Sequence, residues 1–418
     1  MTSAIDDRRD EQAGAEGPGR MQEILAEFRQ GWLVLLAGVI GAGVGVLTAI
    51  NSLAVMMRFL EAEFGWGRSQ VAIAGSFFTL GLFLAGPWMG RFYDRYGVRK
   101  VGPISVIMLA SIFVGLTQVQ GPVWVLYIGY LALGLLGAGT SYIAYSRAVN
   151  TWFQKGRGLA LAITMSGTAL ASAIQPLILP QFVEEHGWRA GYLALAATAL
   201  VALPLMLFVV RERPRPQAER KSLEGMKAGD ALRTRAFWSM AIGIFCVGMA
   251  LVGVHLHLMP LLTDMGASKE DAAYAFALVG GGVLAGRFIT GALLDSFHAP
   301  FVAMSLFLLP VCGLVLFYFF GLPVTPILAL CFGIATGAEA DVLGYLASRY
   351  FGMKSYSEIF GWLFGFMALG SASGPLLTGF LYDSFHNYGY SLVATGVLCL
   401  TASILFGSIG RYPKNFMS

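Results

Sequence analysis

The sequence predicts an all-α membrane protein of twelve transmembrane helices, arranged as two pseudo-symmetric six-helix bundles. Three observations carry this reading. Twelve apolar runs of about twenty residues or more fill the chain, and a hydrocarbon layer about 30 Å thick needs that length per helix, whereas a water-soluble fold has no use for so many. The one long polar stretch, Arg211 to Arg235, falls near the middle and leaves six runs on each side. A short motif also recurs at half-chain spacing, GRFYD from Gly90 and GALLD from Gly291, which aligns Gly90 with Gly291 and Asp94 with Asp295 at an offset of 201 residues.

Composition agrees. Hydrophobic residues make up 56% of the 418 positions, charged residues only 12%, and the mean hydropathy is +0.68, so no soluble domain of ordinary size is left over. The 53 glycines suit helices that approach closely in lipid. Cys246, Cys312, Cys331 and Cys399 all lie in apolar segments at no metal-like spacing and read as packing residues, with no disulfide framework.

In chain order, residues 1–30 mix Asp6, Asp7, Asp10 and Glu11 with arginines and lack an apolar core, so they read as a disordered cytoplasmic tail and not a cleavable signal. The first bundle, 31–211, holds spans at roughly 32–60, 69–93, 101–120, 122–150, 156–185 and 189–211. Residues 212–235 form a cytoplasmic linker. The second bundle, 236–411, holds spans at roughly 236–263, 270–296, 300–320, 323–351, 355–383 and 388–411, and residues 412–418 form a cytoplasmic tail. GAGVG at Gly41 to Gly45 sits inside the first apolar run with no following strand, so it reads as close helix packing and not as a dinucleotide loop.

Loop charges give the orientation. Starting inside, the even loops collect Arg95, Arg99, Lys100, Lys155, Arg157, the basic residues of the linker, Arg349 and Lys354, while the odd loops hold only Arg68, Arg189 and Lys269. The positive-inside rule then places both termini in the cytoplasm, with the inner (plasma) membrane of the cell as the expected location. Glu212, Glu219, Glu224 and Asp230 dilute the basic linker, and topology already accounts for its charge, so no nucleic-acid partner is expected.

Polar groups inside the spans must be explained. Arg287 lies eight residues before Asp295, about 12 Å up its helix. A guanidinium at that depth stays only if it faces a partner or a water-filled cavity, and its planar fork suits a carboxylate. Glu339 and Asp341 share this depth, ten to twelve residues before Phe351. Two positions apart, they point about 200° apart on a helix, so at most one faces the same cavity region directly. A carboxylate that alternates between apolar surroundings and an arginine partner is suited to carry a proton, and Glu339 is the first choice of the two. The alternative is a permanent salt bridge with Arg287, or a helix-end contact that tightens the second bundle.

Span 4 offers Ser141, Tyr142 and Tyr145, the two tyrosines sharing one helix face. Span 5 adds Thr168 and Gln175. Arg147, five residues before Trp152, reads as snorkelling to the inner surface. His255 and His257 in span 7 diverge on a helix and lack a third ligand, so no metal is expected. His255 falls opposite Asn51 in the duplicated half and suggests polar positions flanking the outer side of a cavity.

GRFYDRYGVRK, from Gly90 to Lys100, resembles the loop signature of the major facilitator superfamily, with Gly90, Asp94, Arg95, Gly97, Arg99 and Lys100 in the expected places. Within that superfamily, WFQKGRGLALAITMSG (Trp152 to Gly167), GWGRS (Gly65 to Ser69), GWRAGY (Gly187 to Tyr192) and GPLLTGFLYDSF (Gly374 to Phe385) resemble the monocarboxylate porters and the oxalate/formate antiporters. The resemblance covers nearly the whole chain after the tail. It implies carriage of a small organic anion, commonly a carboxylate and often with a proton. It also implies that Arg287 binds the substrate and that a tyrosine near Tyr142 touches it. Animal monocarboxylate porters carry a lysine in span 1 and an aspartate in span 8, where this chain has Asn51 and Val283.

The expected activity is therefore that of a secondary active transporter, working by alternating access with proton symport. Arg287, Tyr142, Asn51, Tyr145, His255 and Thr168 would form the substrate site, Glu339 or Asp341 would carry the proton, and Gly90, Asp94 and Arg95 would gate. An organic-anion exchanger or an exporter keeps the same fold. A transporter-like sensor would need a sizeable cytoplasmic domain, for which a central loop of about 24 residues leaves little room. The expected partners are the carboxylate, a proton and the bilayer, with the chain a monomer. No cofactor is expected; the sequence has no phosphate-binding GxxxxGK string, so no ATP is expected either, nor has it a hydrolase triad context.

Overall fold

A computed structural model describes residues 18–210, 212 and 225–413. Twelve helical units long and apolar enough to cross a membrane follow one another, with no strand among the described residues. The first six are α1 (Pro18–Gly43 and Thr48–Phe64), α2 (Arg68–Tyr96), α3 (Val98–Leu116), α4 (Trp124–Gly137 and Tyr142–Trp152), α5 (Arg157–His186) and α6 (Trp188–Val209). The second six are α7 (Arg235–Asp264), α8 (Lys269–Ser296), α9 (Ala299–Phe320), α10 (Thr325–Phe351), α11 (Tyr356–Phe385) and α12 (Gly389–Gly407). Gly97 alone joins α2 to α3. Its φ of 78° lies in the left-handed region open to glycine, so the chain reverses within one residue.

Helix α1 starts at Pro18, inside the stretch expected as a tail, which corrects the expectation of a structureless segment through residue 30. Residues 1–17 lie outside the described residues. The extension is held by a distant partner: Glu27 accepts the backbone N–H groups of Gln154, Lys155 and Gly156, leading into α5, and Phe28 meets Phe153 edge-on at 5.1 Å. A carboxylate at that point offsets the positive end of α5.

The GAGVG run packs closely against its neighbours as expected, Gly41 against Tyr145 and Gly43 against the Gly167 carbonyl, but the helix is not continuous there, since α1 breaks between Gly43 and Thr48. Helix α4 breaks at the same depth, passing through a 3-10 turn, Ala138–Thr140, and an extended Ser141. The breaks are stitched together: the Val46 N–H donates to Thr140 Oγ1 at 2.9 Å, and that hydroxyl donates to the Gly137 carbonyl at 2.8 Å. Backbone groups freed in a low-dielectric interior must find such partners. The two equivalent helices of the second bundle, α7 and α10, run unbroken.

The bundles touch through α2 with α11 and α5 with α8. The face carrying the described end of the linker is stitched as well, since Met226 N–H donates to the Phe351 carbonyl at 2.9 Å. On this linker face polar contacts join one bundle to the other, Arg91 with Glu358 at 2.6 Å and Arg157 with Ser348 Oγ at 2.9 Å among them. On the opposite, far face the pairs Arg58–Glu184, Arg189–Glu63 (2.8 Å) and Tyr382–Asp264 (3.0 Å) each stay within one bundle.

Candidate functional site

Arg287 on α8 is 6% exposed and lies at the bundle interface. Its Nη1 is 3.6 Å from Asp341 Oδ1 on α10, and its Nη2 donates to Thr168 Oγ1 on α5 at 3.5 Å. The single proton of the Thr168 hydroxyl goes to the Met165 carbonyl at 2.8 Å, so the oxygen serves as an acceptor for Arg287 and also for the Tyr142 hydroxyl at 3.2 Å. Tyr142 in turn packs edge-on against Phe364 of α11, with ring centroids 5.3 Å apart. Thus Tyr142 and Thr168 from the first bundle meet Arg287 and Asp341 from the second.

The cluster is under-bonded. Arg287 Nε and Nη1, both Asp341 oxygens and Glu339 Oε1 are buried and find no hydrogen-bond partner among the described residues. A buried ion pair held at 3.6 Å without a hydrogen bond does not recover the desolvation of its two charges. Ionisable groups kept at that depth in a membrane bundle mark a candidate site. Asp341 takes the place beside Arg287, whereas Glu339, the first choice from sequence, forms no ion pair among the described residues and feels Arg287 only at longer range, consistent with the 200° separation.

A second group of residues closes the linker face. Asp94, at the end of α2, accepts the backbone N–H groups of Ser357 (3.1 Å) and Glu358 (2.9 Å) in the first turn of α11. Asp295, at the end of α8, accepts those of Gly158 (2.7 Å) and Leu159 (3.0 Å) in the first turn of α5. Each carboxylate meets the positive end of a helix in the other bundle. Gly90 lets α2 reach α11, because a methyl there would overlap the Ser357 carbonyl.

Arg147 does not snorkel. It is 4% exposed, pairs with Asp94 and with Glu212 (2.8 Å), and donates to Ser357 Oγ at 3.2 Å. Partners distant in sequence outcompete the membrane surface. Nor does Arg95 join this contact: one residue beyond Asp94 it is turned about 100° round the helix, exposed, over the Tyr96 ring at 5.3 Å. The cross-bundle partner is Arg91, which pairs with Glu358 at 2.6 Å. Sequence reasoning missed Arg91, and it used Asp295 as the repeat of Asp94 and as a depth marker for Arg287, without giving it a contact. The repeat itself could have assigned Asp295 the same capping task.

Three expected site residues stand apart from Arg287. Asn51 donates to Ser172 Oγ at 2.9 Å within the first bundle. His255 stacks on Phe276 at 4.6 Å, among Leu251, Leu258, Val279 and Phe332 of the second. No contact joins it to Asn51 among the described residues. Tyr145 is 1% exposed and turns toward α1 at Gly41, its hydroxyl without a partner among the described residues. Three positions from Tyr142 is about 300°, which leaves enough angle to separate cavity from core.

Among known proteins, the sequence profile of the Major Facilitator Superfamily matches residues 33–339. Human monocarboxylate transporter 11 is 26% identical over 404 residues, covering 91% of this chain and 83% of that protein. An uncharacterized 38 kDa protein in the 23S RNA operon of Thermoproteus tenax is 30% identical over 323 residues, covering 76% of this chain and 80% of its own. In fold, the chain resembles the E. coli fucose:proton symporter FucP (N162A), with a TM-score of 0.70 at 16% identity over 91% of this chain and 98% of that one.

Proposed function

The chain belongs to the major facilitator superfamily and is a transporter, not an enzyme; on that basis we propose that it carries a small organic anion, a monocarboxylate or hydroxyacid, across the inner membrane by alternating access, with a proton as co-substrate. One observation carries the reading: a buried guanidinium at the bundle interface that donates to Thr168 of the opposite bundle while its Nε and Nη1 find no hydrogen-bond acceptor among the described residues. A carboxylate takes a planar fork of donors of this kind.

Charge accounting links the anion to the proton. Arg287 and Asp341 are neutral as a pair, so an added carboxylate leaves an uncompensated buried charge unless Asp341 takes up a proton as it yields its place. Anion and proton then travel together, and Asp341 is the carrier. The names of human monocarboxylate transporter 11 and of the fucose:proton symporter support the two halves of this idea separately. The linker face, richest in Lys and Arg, is the cytoplasmic one, which leaves both termini inside and the described arrangement closed toward the cytoplasm.

The test is uptake of labelled carboxylates by proteoliposomes, with and without an inward proton gradient, on the wild type and Arg287→Ala. Gradient-driven accumulation that the variant loses supports the reading. Counterflow unaffected by the gradient identifies an exchanger instead. Uptake retained by Arg287→Ala moves the substrate elsewhere and overturns the assignment.

A further inference from the structure

Helices α8 and α9 join through Phe297 and His298 at the linker face, and a groove of about 430 Å³ lies between them, with Ile334 of α10 also on its wall. Ile289, Leu293 and Phe297 line it on the α8 side, and Phe301, Ser305 and Leu309 on the α9 side. Phe297 and Phe301, at its linker end, are 65% and 57% exposed. From Phe297 to Ile289, and from Phe301 to Leu309, the chain climbs eight residues, about 12 Å. A hydrocarbon core is about 30 Å thick, so the groove is roughly one leaflet deep. That is too short to seat a spanning helix of another protein and suits a lipid chain.

Positive charge gathers at the linker end of this groove. The His298 ring lies 5.4 Å from that of Phe301 and 4.5 Å from that of Tyr412, and the Arg349 guanidinium sits over the Tyr412 ring at 4.9 Å. Arg411 precedes Tyr412, and both arginines are near enough to act on the charge of His298. Neither arginine forms an ion pair among the described residues. No carboxylate lines the groove, and Asp295, the acid on this stretch of α8, is turned to the amides of Gly158 and Leu159 on α5. An apolar trough of one leaflet's depth therefore ends at two guanidinium groups that lack a protein counter-ion.

We propose that this groove is a binding site for an anionic phospholipid, with an acyl chain laid between α8 and α9 and the headgroup phosphate at Arg349 and Arg411. Guanidinium groups pair with phosphate in a fixed fork, and basic pockets between spanning helices attract anionic headgroups. A zwitterionic lipid gains less, because its ammonium finds no carboxylate in the groove. Asp295 lies two residues before Phe297, so an occupied groove steadies the end of α8 that closes the linker face. The site is on the bilayer side of the second bundle and is independent of the cargo that Arg287 takes.

Native mass spectrometry and thermal shift of the full-length protein in detergent, with phosphatidylglycerol, phosphatidylethanolamine or phosphatidylcholine of matched chains, test it. The wild type should hold phosphatidylglycerol under activation that strips the other two, and that lipid alone should raise the melting temperature. Arg349→Gln and Arg411→Gln should each weaken its retention roughly fivefold, and the double variant by the product. Arg233→Gln/Arg235→Gln removes the same charge elsewhere on the linker face and should change nothing. Ser305→Trp fills the groove from an exposed position and should weaken phosphatidylglycerol as well. Glycerol 3-phosphate, a headgroup without chains, should not bind. Equal retention of the three lipids, an unchanged preference in the double arginine variant, or an equal loss in Arg233→Gln/Arg235→Gln overturns the site. Glycerol 3-phosphate that binds as well as the lipid, or a Ser305→Trp variant that keeps full retention, overturns the lipid as its occupant. No transport is measured, so this inference and the carboxylate reading stand or fall separately.

Discussion

Asp94 and Asp295 perform the same task from opposite bundles: each carboxylate accepts two consecutive backbone amides in the first turn of a helix belonging to the other half, α11 for Asp94 and α5 for Asp295. The duplication seen as an offset of 201 residues is thus a duplicated contact. Together the two carboxylates close the linker face on both sides of the interface.

Asp94→Ala removes two amide contacts and leaves the buried Arg147 with Glu212 as its remaining ion-pair partner. Loss of one member of a buried pair costs about 3 to 5 kcal/mol, so a clear fall in melting temperature is expected. Labelling of a cysteine placed at the linker face should also accelerate. A variant that melts and labels as the wild type does would show that this closure contributes nothing.

Gly90→Ala forces α2 and α11 apart, because the new methyl meets the Ser357 carbonyl and backbone cannot yield as a flexible side chain does. Overpacking of this kind costs about 1 to 3 kcal/mol. Gly158→Ala should behave alike at the α5–α8 crossing, where the Gly291 carbonyl is met. Gly115→Ala, with nothing within 4 Å of the added atom, is the control and should be neutral. Melting temperatures of the three variants decide it.

Glu27→Ala strips the acceptor from the amides of Gln154, Lys155 and Gly156. Losing a cap costs about 1 kcal/mol, and the effect should be local. Hydrogen exchange read residue by residue should quicken at the start of α5 and stay unchanged in α11.

Asp341→Asn abolishes the titratable partner of Arg287 while preserving shape. Accumulation driven by a proton gradient should vanish and counterflow should persist. Glu339→Gln is expected to keep gradient-driven uptake, because Glu339 makes no ion pair with Arg287 in this arrangement. The reverse outcome would transfer the proton role to Glu339.

His298, between α8 and α9, gives a pH dependence of stability. Partial burial, then the nearby Arg349 and Arg411, hold its imidazole below its ordinary value, and its ring packs 4.5 Å from that of Tyr412. The unfolded chain takes up this proton at the ordinary histidine value while the folded chain resists it. Stability therefore falls as pH drops through and below that range. Melting temperatures between about pH 7.5 and 5.5 should decline less steeply for His298→Gln than for the wild type.

The spans were legible because length and hydropathy are local quantities. So was the depth of Arg287, which follows from counting residues up from Asp295. What escaped depends on contacts between distant segments. Nothing near Glu27 announces that its partners lie at residues 154–156, and nothing near Arg147 announces Asp94 and Glu212. The breaks in α1 and α4 were hidden for a similar reason: among 53 glycines, GAGVG is distinguished only by the Thr140 hydroxyl that receives the Val46 amide. His255 and Asn51 were paired by the repeat, but a repeat aligns backbone positions and does not guarantee that side chains meet across an axis.

Ownership of the groups around Arg287 decides what happens when the halves part. The guanidinium departs with Asp341 and Glu339, while Thr168 stays behind with Tyr142. The polar seam to be torn at this level is thin, a 3.5 Å hydrogen bond from Arg287 to Thr168 with Tyr142 beside it. A cargo gripped from both sides would be the suture that keeps such a seam shut, and its escape would let the edges gape.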